Sequence, residues 1–176
     1  MTWAVMFLAG LGAACVQVLF PAPMLLGSVK WPVLAALVMY YALHQETEVM
    51  LVAAVFAGFL QDALSPTPLG LSAVIFAMLG GSLGRFRFLV VSDAMVTQAF
   101  FGLVGSGAAA LCLYVLLRVS GALALPAGQG MHKIFGAGIE GALCTPLLFW
   151  AVGHMDQMVG NILPAKEVEG VPSELE

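Results

Sequence analysis

Apolar residues fill this chain in six runs, at about 3–20, 32–43, 49–64, 69–84, 94–117 and 134–152, and within each run they do not alternate with polar ones. A transmembrane β-strand would show about ten residues of alternation, so the runs predict α-helices rather than a barrel. Pro21 and Pro23 close the first run, and Pro32 opens the second at a position where a missing N–H costs nothing. Trp31, Tyr40 and Tyr41 sit at the ends of that second run, as aromatics do at a membrane surface. The breaks are short, at 27–30, 44–48, 65–68 and 85–93; the exception, 118–133, is long enough for a brief surface helix. Tight turns between six helices predict a compact all-α bundle. Six transmembrane crossings are expected; the third and fourth runs fall somewhat below the roughly 20 residues of an average spanning helix, and a re-entrant hairpin is the alternative for that pair.

The sharpest break is Gly58-Phe59-Leu60-Gln61-Asp62-Ala63-Leu64-Ser65-Pro66-Thr67-Pro68-Leu69-Gly70-Leu71. A nearly uncharged run that begins at Val49 ends on Asp62. The two prolines beyond it cannot continue a helix and bias the residues before them toward extended backbone, so the chain reverses between Leu64 and Leu69. An unpaired carboxylate in hydrocarbon is costly, so Asp62 needs water, a partner or a function. Glu140, inside the sixth run, is the second intramembrane acid.

Composition fixes the class. The chain is 61% hydrophobic and 9% charged with a mean hydropathy of +1.02, against roughly 25% charged residues in a soluble domain. These values predict an integral membrane protein with one helical domain over 1–160. The net charge of −4 arises mainly in the tail, 161–176, where Glu167, Glu169, Glu174 and Glu176 mark a disordered acidic end. No basic patch with interleaved aromatics is evident, so membrane lipid rather than nucleic acid is the expected partner. Cys15, Cys112 and Cys144 lie in apolar runs without metal-ligand spacing and read as small hydrophobes. Leu11-Gly12-Ala13-Ala14-Cys15 faintly suggests a lipoprotein cleavage site, but it lacks a basic n-region and has Gly12 where leucine belongs, so the first run is read as a retained helix.

If the first, third and fifth breaks share a side, that side carries Lys30, Arg118 and Lys133, and the other carries Arg85, Arg87 and Lys166. Arg85 and Arg87 are the tight basic pair, which places both termini in the cytoplasm. The same arrangement puts Asp62 and Glu140 in one leaflet with Lys30, Arg118, His132 and Lys133, so one of the two acids is expected to pair with one of these bases; the alternative for Asp62 is an acid at the water interface that caps the turn. Small residues recur at four-residue spacing: Gly10 with Ala14, Ala54 with Gly58, Gly80 with Gly84, Gly102 with Ser106 and Ala110, and Ala137 with Gly141. Such seams serve either the protein's own packing or the docking of another membrane helix.

Catalysis has little support. His44, His132 and His154 stand near run ends with no serine or cysteine motif around them. His44 with Glu46 and Glu48 reads as a solvated cap rather than a metal site, and no phosphate-binding loop is evident. No enzyme activity, cofactor or metal is expected.

A helix ending Gly-x-x-x-Asp, a small turn with Ser, Pro, Leu and Gly, and a second helix ending Gly-Arg together resemble the hallmark of MreD, the bacterial rod shape-determining membrane protein family. The matching residues are Gly58, Asp62, Ser65, Pro68, Leu69, Gly70, Gly84 and Arg85, with Lys30-Trp31-Pro32 resembling the family's entry to its second helix. One departure is Val33, where the family often has Asp after that proline. The resemblance implies a non-enzymatic scaffold of the cell-elongation machinery in the bacterial cytoplasmic membrane. Its partners would be MreC, the glycosyltransferase RodA with its penicillin-binding transpeptidase, and MreB filaments. It also implies a fold similar to the solute-binding subunits of energy-coupling vitamin transporters, which form the competing reading. A proton or ion carrier built on Asp62 and Glu140 ranks behind both.

Overall fold

Six helices follow one another in antiparallel order: α1 (Thr2–Leu19), α2 (Val33–His44), α3 (Thr47–Ala63), α4 (Leu71–Arg85), α5 (Met95–Val119) and α6 (Ala127–Met158). The structure is a computed structural model that describes residues 2–20, 30–65, 67–85, 95–121 and 127–160. Pro21, Pro23, Pro66, Arg87, Lys166 and the acidic tail lie outside the described residues.

The core is α2. Its residues from Val33 to Ala42 are all buried, and the helix touches every other one. A helix that is apolar on all sides is satisfied only inside a protein. At a rise of about 1.5 Å per residue it is roughly 18 Å long, too short to cross a hydrocarbon layer of about 30 Å. The surrounding helices shield it instead. Pro32 stands one residue before the helix as its N-cap, and its carbonyl accepts the first helical bond from Ala36 N at 3.0 Å.

α5 and α6 pair along their length. Met95–Val119 and Gly128–Met158 are the two described helices long and apolar enough to cross a membrane. α5 turns most of its surface outward, exposing Val96, Phe100, Leu103, Leu111 and Val115. Water would not tolerate so continuous an apolar face, whereas lipid would.

Hydrogen bonds between segments distant in sequence define the two ends of the bundle. At one end, Gln17 Nε2 of α1 donates to Gln61 Oε1 of α3 at 2.9 Å, and Lys30 Nζ donates to Leu64 O. At the other, near the end of α2, Tyr40 Oη donates to Asp156 Oδ2 of α6 at 3.0 Å. These are called the Lys30 end and the Arg85 end below.

The sixth helix departs from expectation. It begins at Ala127 rather than near 134 and ends at Met158 rather than near 152, so it absorbs the stretch expected to hold a separate surface helix. In its first turn Gly130 lies against the Tyr114 ring of α5. Glu140 is therefore 13 residues in (127 to 140), about 20 Å along the axis, and not two turns from the end.

Candidate functional site

The α3–α4 hairpin is built around the Asp62 carboxylate, which is buried. Thr67 Oγ1 donates to Oδ1 at 3.0 Å, Gly70 N to Oδ2 at 2.7 Å, and Ser72 N to both oxygens at 3.3 and 3.2 Å. The first amides of a helix have no partners within it and carry its positive end, so an acid is the natural acceptor there. Asp62 thus caps α4 from the preceding helix. The price of an acid near the C-terminus of α3 is offset by Lys30, whose ammonium covers the Leu64 carbonyl at that negative end.

Other motif residues complete the turn. Ser65 N bonds Asp62 O at 3.2 Å, and its hydroxyl accepts from Gln61 Nε2 at 3.4 Å. Pro68 O accepts from Leu71 N at 3.3 Å, and Leu69 points outward. Gly70 has φ +93°, a left-handed backbone that favours glycine and turns its N–H onto Asp62. At Gly58 a Cβ would collide with the backbone of Ala73, so this glycine lets α3 and α4 close up beneath the turn. Gly84 lies more loosely, and Arg85 ends α4 exposed.

The expected charge pair takes a different form. Asp62 draws its bonds from the turn rather than from a base, while His132 and Lys133 are exposed on the first turns of α6. Glu140 is fully buried, and neither of its carboxyl oxygens has a hydrogen-bond partner among the described residues. The turn and Glu140 are separate features at different depths.

No protein-family model, curated protein or solved structure matches this chain.

A third buried acid, Asp156, escaped the sequence reading because it lies beyond the expected end of the sixth run. It is fully buried and accepts from Tyr40, whose ring stacks on His44 at 4.5 Å and meets Phe149 edge-on at 5.3 Å. The available signal was Tyr40-Tyr41 inside an otherwise apolar run, since a buried tyrosine hydroxyl usually finds a polar partner. Tyr40→Phe is expected to destabilise the bundle by about 1–3 kcal/mol, because it deprives a buried carboxylate of a donor. Thermal unfolding in mild detergent checks this; an unchanged midpoint would mean that the bond contributes nothing.

The small-residue seams pack within the chain. Gly102 faces the Gly141 carbonyl and Thr145, Gly141 faces Ser106 and the Gly102 carbonyl, and Gly80 receives Met50. Pro146 lies inside α6, and the residue before it, Thr145, donates its Oγ1 hydroxyl to the Gly141 carbonyl at 2.7 Å. Among the described residues no three His, Cys, Asp or Glu side chains gather where a metal could bind.

Proposed function

We propose that this chain is a non-enzymatic membrane scaffold of the bacterial cell-elongation complex, similar to MreD. It sits in the cytoplasmic membrane with both termini inside and contacts MreC, RodA with its penicillin-binding transpeptidase, and MreB filaments. The observation that supports this most is what the motif residues do. Gly58, Asp62, Ser65, Pro68 and Gly70 form and cap a helical hairpin whose outward face is apolar, with Leu51, Val55 and Phe59 on α3 and Val74 and Met78 on α4. A capped hairpin that offers a largely apolar face inside a bilayer is suited to holding other membrane helices.

One observation favours the second reading, a substrate-binding subunit of an energy-coupling transporter: a cavity opens at the Lys30 end. Its volume, about 100 Å³, is below the roughly 300 Å³ at which drug-sized ligand sites begin, so the scaffold reading is preferred. Depletion in a rod-shaped bacterial host is expected to give wide or spherical cells within a few generations. Cells that remain rods but acquire a vitamin requirement would instead support the transporter reading.

A further inference from the structure

The outward helices differ in how much hydrocarbon they can cover. α3 (17 residues) and α4 (15 residues) rise about 25 and 22 Å, both short of a hydrocarbon layer about 30 Å thick. At the Arg85 end, Glu46 and Glu48 are exposed at the start of α3, and Arg85 is exposed at the end of α4. At the Lys30 end, Asp62 holds the closing turn through Thr67, Gly70 and Ser72. α5 (25 residues) is longer, rising about 37 Å and carrying no charge before Arg118 in its last turn.

The polar limits lie on the faces that point outward. On α3, Glu48, Val52, Val55 and Phe59 are exposed at helical spacing along one stripe. On α4, Val74, Met78, Ser82 and Arg85 form another. The α5 face instead exposes Phe100, Val104, Leu111 and Val115. A tilted helix covers less height than an upright one. Tilt therefore fits α5 to a bilayer and only worsens the fit of the hairpin.

We propose that the hydrocarbon thins against the α3–α4 face, which therefore gathers phospholipids with short acyl chains, while the α5 face keeps lipid of ordinary thickness. A bilayer meets too short a stretch by thinning, by snorkelling of flanking side chains or by oligomerisation of the protein. Snorkelling serves long lysine and arginine side chains, whereas Glu46 and Glu48, which bound the α3 stripe, are short carboxylates. The thinning belongs to the chain alone in lipid and does not depend on its partners.

The test is fluorescence of the full chain at low density in phosphatidylcholine vesicles, with Trp3, Trp31 and Trp150 replaced by phenylalanine. A single tryptophan is placed by Met78→Trp on α4 or by Leu111→Trp on α5, each about two turns in from the Lys30 end. It is quenched by phosphatidylcholines brominated on chains of fourteen, eighteen or twenty-two carbons, in competition with unlabelled eighteen-carbon lipid. Met78→Trp is expected to favour the fourteen-carbon lipid over the eighteen-carbon one about twofold, a modest ratio because mismatch energies are small. Leu111→Trp is expected to favour eighteen carbons or more. Equal preferences at the two faces would overturn the proposal, as would a tryptophan at position 78 that no lipid quenches because protein covers it. If Met78→Trp fails to insert, Phe59→Trp on α3 takes its place. Glu48→Leu lengthens the α3 stripe by about one turn, and is expected to move the preference at Phe59→Trp toward eighteen carbons. An unmoved preference would show that the height of the face does not set it, and would equally overturn the proposal.

Discussion

Replacing Asp62 by alanine is expected to destabilise the bundle by about 3 kcal/mol, and replacing it by asparagine by about half as much. The carboxylate takes bonds from Thr67, Gly70 and Ser72 in a buried site, and bonds to a charged acceptor contribute roughly 1.5–3 kcal/mol each without being additive. Alanine strands the first amides of α4 with nothing to accept from them. Asparagine keeps one carbonyl oxygen for Gly70 or Ser72 but loses the charge that complements the helix terminus. Thermal unfolding in mild detergent gives the ranking. Asparagine as damaging as alanine would mean that charge, rather than capping geometry, carries the effect. An alanine variant as stable as the parent would remove Asp62 from the account of the fold.

Gly141→Val is expected to separate α5 from α6 and to cost about 3 kcal/mol, at the upper end of what overpacking costs. Its Cβ would meet Ser106 and the Gly102 carbonyl on the facing helix, and a carbonyl in a helix cannot rotate away as a side chain can. Gly81→Ala is the control. A Cβ there meets nothing within 4 Å, so the change is expected to stabilise α4 slightly, by up to about 1 kcal/mol, through helix propensity. Both are read by the same unfolding measurement. Equal effects at the two sites would show that the seam is looser than the backbone distances indicate.

The hairpin was legible in the sequence because an acid followed by Pro66 and Pro68 leaves few alternatives to a reversal after Leu64. What Asp62 does there was not legible. Capping and ion pairing both suit a carboxylate at a helix end, and the choice depends on where the Gly70 and Ser72 amides point. Glu140 was placed too shallow for a related reason. Hydropathy begins near Ile134, but the helix begins at Ala127 and runs through a glycine-containing stretch in which Gly130 lies against Tyr114. The spacing of Gly102, Ser106 and Gly141 showed that close helix approach was intended. It could not say whether the neighbour was internal, which only the α5–α6 contact answers. α2 was visible as a short apolar run, but its place at the centre follows from the helices around it, which no local pattern encodes.

The most direct test of the scaffold proposal is purification of the tagged full chain from its own membranes in mild detergent, with the co-purifying proteins identified by mass spectrometry. The account predicts recovery of a single-pass periplasmic protein of the MreC type together with a RodA-type glycosyltransferase and its transpeptidase. It further predicts that Asp62→Ala, which undoes the α4 cap, weakens that recovery. Recovery of paired ATPases with a coupling membrane subunit, and no cell-wall synthase, would contradict it.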